Sequence, residues 1–269
     1  MNESAQNVVP PMLSIVIPAY NEESRLPQSL DKIIAWKDTI SYSVEVLIVE
    51  NGSTDRTTEV AESYAKQYDY IRLLHSDKGK GAAVRQGMLQ GNGEYLLICD
   101  SDLSMPIAEV DKFLPPNVVG YDVVIGSREA PGAIRYNEPH HRHVMGRVFN
   151  FIVQVLAVRG FHDTQCGFKL FKRETARHLF AIQTVNGWTF DVEILFLARK
   201  YRYKITEVPI HWYYNADSRV SPLRDTWAMF WDVVKIRFKY LQGTYVSSER
   251  LPQSSAQTPI NNQHATADN

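Results

Sequence analysis

The 269-residue chain carries 29 lysines and arginines against 30 aspartates and glutamates, so its net charge of −1 gives no global reason to bind nucleic acid. Two cysteines, Cys99 and Cys166, are too few for a disulfide framework and predict a reduced, cytosolic chain. The opening MNESAQNVVPPM lacks the basic and apolar regions of a secretory leader, and no run of about 18 apolar residues predicts a transmembrane helix.

In chain order, residues 1–11 are expected to be disordered and one domain to cover 12–246. Leu13–Pro18 (LSIVIP) reads as a strand and Arg25–Trp36 as a helix. Val44–Val49 is a second strand, followed by a helix over Asp55–Gln67. Ile71–His75 is a short strand, Gly81–Gln90 a helix, Glu94–Cys99 a strand, Ile107–Phe113 a helix and Asp122–Gly126 another strand. Apolar strands alternating with helices predict an α/β fold, a mostly parallel sheet covered on both faces. The tail 247–269 is Gln, Asn, Ser and Ala with few large apolar groups, which predicts disorder.

Ligands of such sheets bind beyond the carboxyl ends of the strands, and four of these ends carry polar clusters. After the first comes AYNEE, in which Glu22 suits ribose hydroxyls or a base edge, or else favours a helix dipole. After the second comes ENGSTD: Ser53 or Asp55 is expected to cap the next helix, leaving Glu50 to read a nucleotide. KGKG then opens a helix, where glycines and a lysine suit a phosphate. After the fourth strand comes CDSDLSMP. At period two Asp100 and Asp102 leave on one side, where a cation would relieve their repulsion; the alternative is a cap for a helix beginning at Pro106. Gly126-Ser127-Arg128 places a guanidinium at another strand end, suited to holding a phosphate bidentately.

PAYNE, VENGSTD, GKG and DSD in this order resemble the GT-A (Rossmann-like) glycosyltransferases of family 2. GSR, an Arg- and His-rich loop over 129–143, DTQCGFKLF, WTFDVE and a late WYY…SRVS are similar to the polyprenyl-phosphate sugar synthases. Within these, VRGFHDTQCGFKLFKRETA resembles the dolichyl-phosphate β-glucosyltransferase branch. The resemblance implies Asp100 and Asp102 holding Mg²⁺ or Mn²⁺ against the donor diphosphate. It implies Pro18, Tyr20, Glu22, Glu50 and Lys80 around the nucleotide, and Arg219 near the diphosphate. Arg128, Arg142 and Arg135 would receive the acceptor phosphate, Gln165 of DTQCG would contact substrate, and Asp191 would lie near the transferred sugar. Two departures stand out: Ser104 occupies a position where mannose-transferring relatives often carry a metal-holding Gln, and Glu50-Asn51 replaces the usual pair of aspartates.

The implied reaction moves a hexose, glucose from UDP-glucose, to a dolichyl or undecaprenyl phosphate with inversion, at the cytoplasmic face of a membrane. Mannose, an N-acetylhexosamine or a saccharide acceptor are the alternatives, as is a sugar-nucleotide binder without turnover. The intact DSD and the Arg128/Arg142 pair argue against the binder. The histidines of the loop lack common zinc spacing. The lipid acceptor calls for peripheral membrane attachment. Two apolar stretches suit interfacial helices: 144–158, and 225–241 with Trp227, Phe230, Trp231, Val234, Phe238 and Leu241 on a stripe beside Lys235, Arg237 and Lys239. Core packing is the competing use of both.

Overall fold

The computed structural model describes residues 9–140, 160–215 and 222–245, with positions 143, 146, 147, 150, 154 and 158; for 222–228 it describes the backbone alone. The chain opens with β1 (Leu13–Ala19), α1 (Leu26–Lys37), β2 (Val44–Glu50), α2 (Thr57–Gln67), β3 (Ile71–His75), α3 (Lys80–Gln90) and β4 (Tyr95–Cys99). These agree with the sequence expectation to within two residues at each end. The stretch expected to be a helix after Pro106 is a 3-10 turn, Ile107–Lys112, with Pro106 before it and no side-chain cap. β5 (Val123–Ser127) follows.

The second half adds elements that the apolar pattern left unassigned, β6 (Ile134–Tyr136), β7 (Phe168–Lys172), α4 (Arg173–Ala181), α5 (Phe190–Lys200), β8 (Ile205–Pro209) and β9 (His211–Tyr213), and ends on α6 (Pro222–Leu241), which covers the helix expected over 225–241. The main sheet has seven strands in the order β3-β2-β1-β4-β7-β5-β8, and β6 pairs with β9 in a separate ribbon. All pairings in the main sheet are parallel except those of β7, which runs antiparallel to both β4 and β5. This is the GT-A architecture: a mostly parallel sheet with helices on both faces.

The sheet is buried on both sides because β1 and β2 are apolar apart from Ser14, Glu45 and Glu50. Val16, Leu47, Val49, Leu96 and Ile98 pack with α3, α4 and α5 on one face. Ile15, Ile17, Val46, Ile48 and Leu97 pack with α1 and the 3-10 turn on the other. A covered parallel sheet leaves chemistry one place to emerge, the carboxyl ends of its strands. β7 turns that rule to a second use. Entering the sheet from the carboxyl edge of β4, it delivers the DTQCG segment directly beside Asp100.

Candidate active site

The loops after β1 and β2 are knitted to one another. Asn21 N–H donates to Ser53 Oγ at 3.0 Å, Thr54 N–H to Asn21 Oδ1 at 2.7 Å, and Glu22 N–H to Thr57 Oγ1 at 2.6 Å. Glu23 N–H donates to Asp55 Oδ2 at 3.2 Å and Arg56 N–H to Glu23 Oε2 at 2.9 Å. Ser53 therefore serves the neighbouring loop instead of capping α2, while Asp55 accepts the Thr57 amide at 3.0 Å. The two acids expected to read a nucleotide have intramolecular partners. Glu22 is buried and gripped by the Arg25 fork, Nε and Nη2 each 2.7 Å from a carboxylate oxygen. Glu50 closes β2, accepts the Ser53 amide, and lies 3.3 Å from His75 Nδ1. Burial works against the Glu50 charge, but the hydrogen bonds from Ser53, His75 and Gly52 outweigh it and hold the carboxyl below its ordinary value. Pro18 is buried in β1, paired with Val49. Tyr20 is half-buried, with Lys78 Nζ 5.2 Å from its ring centroid.

β4 ends at Cys99, so Asp100 and Asp102 stand in a turn, not on a continuing strand, and Leu103 takes a positive φ of 45°. The turn, with no strand pleat beyond Cys99, sets their directions. Asp102 is half-buried, and among the described residues the one hydrogen bond to its carboxylate comes from the Ser104 amide at 3.0 Å. Asp100 is pinned. A Cβ placed on Gly167 would fall 1.9 Å from Asp100 Oδ2, so only glycine leaves the carboxylate room. Lys80 Nζ forms a 2.6 Å ion pair with the buried Asp100 Oδ1. Burial disfavours the Lys80 charge, but Asp100, Asp191 and Asp102 together outweigh it and raise its pKa above the ordinary lysine value. Trp188 covers the ammonium, its ring centroid 5.2 Å from Nζ.

The glycines around Lys80 admit a backbone. Gly79 has φ +129°, and a Cβ there would meet Asn186 O at 2.3 Å. The amide of Gly81, in the turn expected to face a phosphate, donates to the Asn186 carbonyl at 2.9 Å, and that of Ala82 does so at 3.2 Å. Glu193, fully buried in the first turn of α5, anchors that same loop by accepting the amides of Thr184 and Val185 and the Tyr245 hydroxyl.

Asp191 is buried too, with Lys169 Nζ 2.6 Å from its Oδ1. Burial pushes the Asp191 carboxyl up, beyond what Lys169 and Lys80 pull down. Lys169 was not foreseen: it sits mid-strand in β7, between Ile98 and Ile125. Arg128 follows β5, and its fork is bound by buried Asp163, Nε to Oδ2 at 2.6 Å and Nη2 to Oδ1 at 3.0 Å. Burial opposes the Asp163 charge, yet Arg128 holds that carboxyl down at about 2. Gln165, half-buried, donates its backbone N–H to Asp163 Oδ1 at 3.2 Å. Arg135 is engaged by Glu129, by Glu138 and by the Arg128 carbonyl. The loop read as basic thus carries its own acids. The structure brings Lys80, Asp100, Asp102 and Asp191 into one charge cluster with Lys169; Arg142 and Arg219 lie outside the described residues.

One carboxylate seated in a cradle that a Cβ would fill and one partly exposed carboxylate suit Mg²⁺ or Mn²⁺, which take few protein oxygens and complete their shell with water and phosphate. Among the described residues no third His, Cys, Asp or Glu joins them. Most of the stretch 144–158 lies outside the described residues. α6 shows two faces. Met229, Val233 and Ile236 are buried, while Trp231, Val234, Phe238 and Leu241 are 48%, 37%, 60% and 82% exposed. Lys239, expected to face headgroups, instead donates to Thr184 Oγ1 at 3.0 Å. Among the described residues no helix is long and apolar enough to cross a membrane.

Comparisons with known proteins agree with this geometry. The family description "Glycosyl transferase family 2" matches residues 14–180. The dolichyl-phosphate beta-glucosyltransferase of Dictyostelium discoideum is 37% identical over 250 residues, 87% of this chain and 76% of that protein. The human enzyme of the same name is 34% identical over 249 residues, 87% of this chain and 77% of that protein. Among solved structures, glucosyl-3-phosphoglycerate synthase from Mycobacterium tuberculosis, crystallised with Mn²⁺, UDP and glucosyl-3-phosphoglycerate, superposes with a TM-score of 0.61. It is 19% identical and covers 85% of this chain and 79% of that one, a likeness of fold. With a sheet, a strand-end acid cluster and two relatives that align over most of their length, the chain belongs to glycosyl transferase family 2, on the branch of the dolichyl-phosphate beta-glucosyltransferases.

Proposed function

We propose that this glycosyltransferase moves glucose from UDP-glucose to a polyprenyl phosphate, dolichyl or undecaprenyl, with inversion, at the cytoplasmic face of a membrane. The observation that carries the reading is the Asp100 carboxylate, seated in the space that Gly167 leaves open, with Lys80 Nζ 2.6 Å from its buried Oδ1. It stands beside Asp102 at the strand edge where such sheets bind nucleotides. The two aspartates would hold Mg²⁺ or Mn²⁺, which when bound supplies Lewis-acid stabilisation to the departing diphosphate. Pro18, Tyr20, Glu22 and Glu50 frame the nucleoside side, and Lys80 meets the diphosphate, with Arg219 assigned there by family resemblance.

The nucleophile is a phosphate oxygen, ionised at neutral pH. It needs charge compensation and alignment more than a base. Arg128, stacked 5.5 Å from the Trp212 ring centroid, has Nε and Nη2 held by Asp163 and would meet that phosphate with the remaining edge of its guanidinium, with Arg135, itself paired with Glu129 and Glu138, behind and Arg142 by resemblance. A saccharide acceptor would need a general base. Asp191 is the candidate, but Lys169 occupies its Oδ1 and it is 4% exposed, which favours the phosphate acceptor. Its part is to shape the field around the sugar.

The acceptor's chain stays in the bilayer, so the protein must come to it. α6 exposes Trp231, Val234, Phe238 and Leu241 at helical spacing, flanked by exposed Lys235 and Arg237. Such a face fits peripheral attachment to a surface carrying anionic lipid. The test is transfer from labelled UDP-glucose to a short polyprenyl phosphate, with and without EDTA. Label in the lipid phase that EDTA abolishes is the expected result. Transfer to a saccharide with no dependence on lipid phosphate overturns the reading.

A further inference from the structure

The charges of the acid cluster do not match what a metal site alone would want. Three aspartates, Asp100, Asp102 and Asp191, face two lysines, Lys80 and Lys169, for a sum of −1. A divalent ion added to that set leaves +1 in a half-buried space; a nucleoside diphosphate arriving with it restores negative charge. The geometry of Lys80 matters as much as the count. Its Nζ stands 2.6 Å from the buried Asp100 Oδ1, and the carboxylate occupies the space that a Cβ on residue 167 would fill. Lys169 cannot exchange in this way, because its side chain is 1% exposed and enclosed by β7 and α5, whereas that of Lys80 is 17% exposed under the edge of Trp188.

We propose that the Lys80 ammonium is a stand-in cation. It holds the metal's place against Asp100 in the ligand-free chain and yields it only when the ion comes together with the nucleoside diphosphate, whose phosphates then receive the lysine. This rests on the reading that Asp100 and Asp102 take a divalent ion, and it adds an order: metal alone binds poorly, metal with donor binds well. A cation stands against Asp100 at every stage, so the carboxylates never face one another bare. Without Lys80 the sum falls to −2, which a divalent ion alone balances.

The test is equilibrium dialysis of Mn²⁺ against the full chain, K80M, K80Q and K80R, with and without UDP. Far-UV circular dichroism selects the folded variants, and two neutral replacements ensure that one misfolded protein does not decide the outcome. Without UDP, K80M or K80Q is expected to bind Mn²⁺ about tenfold or more tightly than wild type, and K80R to behave as wild type. UDP should tighten Mn²⁺ on wild type and narrow the gap. If the neutral variants bind Mn²⁺ alone no better than wild type, while wild type with UDP binds it and D102A does not, the stand-in role is overturned and the metal reading stands. If no form retains Mn²⁺ even with UDP, the metal reading falls and the stand-in with it.

Discussion

Two lysine–aspartate pairs lie within one charge cluster, each with a 2.6 Å contact, and they are built for opposite purposes. Lys169–Asp191 has side chains 1% and 6% exposed and closes the space between β7 and α5. Lys80–Asp100 has side chains 17% and 28% exposed and opens on the strand edge where ligands arrive. A sealed pair is a fixed part of the wall, since separating it would strand two charges in a poor solvent. An open pair can exchange partners at small cost, because water or an incoming ion compensates each half. Contact distance alone does not distinguish structural from exchangeable charge; access does.

The comparison breaks first at the sealed pair. Lys169→Met leaves Asp191 buried beside the hole of its partner and should cost about 3–5 kcal/mol in urea denaturation. The double change with Asp191→Leu should recover most of that loss. Full stability of Lys169→Met alone would mean that the pair is not sealed.

At the open end the effect moves from stability to activity. Asp102→Ala should lower transfer about a hundredfold or more with little change in melting temperature. Gly167→Ala should do nearly the same by pushing Asp100 off its seat, since its Cβ would fall 1.9 Å from Oδ2. A Gly167→Ala enzyme with unaltered rate and Mn²⁺ affinity would remove Asp100 from the site.

Acid sharpens the contrast between buried carboxylates. Asp163, held at about 2 by Arg128, contributes stability that is present above its ordinary value near 3.8 and lost as pH falls toward 2. Measured against Asp163→Asn, wild type should lose roughly 2 kcal/mol of its advantage between pH 5 and pH 2. Asp191 has the opposite sign: its carboxyl is raised, so its contribution falls as pH climbs from 3.8 through the folded value. The smallest stability effect belongs to α6. Phe238→Ser with Trp231→Ser should change stability by less than about 0.5 kcal/mol per site, yet abolish flotation with anionic liposomes. Unfolding of that variant would assign the outer face of the helix to the core.

Much of this was legible in the sequence, and the limits have physical causes. The first five strands announce themselves as apolar runs, and the polar clusters at their ends locate the strand edge that binds ligands. Asp100 and Asp102 were identifiable from DSD, and Asp191 through the family resemblance that WTFDVE carries. Lys169 was not, because FKLFK alternates like a strand with one wet face, and a central strand with a buried lysine makes sense only once Asp191, 22 residues later, is seen against it. Asp163 and Gly167 lay inside the quoted DTQCGFKLF segment, but nothing local says that one grips Arg128 and the other makes room for Asp100. Glu129 and Glu138 were overshadowed by the arginines and histidines around them. Their pairing with Arg135 shows that a loop's net charge matters more than its count of bases.

The central claim is that the open pair yields to a metal–nucleotide complex while the sealed pair stays closed. A crystal structure of the full chain with Mn²⁺ and UDP, with anomalous scattering recorded for manganese, tests it most directly. The account predicts an anomalous peak between Asp100 and Asp102, Lys80 turned from Asp100 to the diphosphate, and Lys169 still against Asp191. A peak elsewhere, or Lys80 still against Asp100 beside a bound metal and UDP, would contradict it.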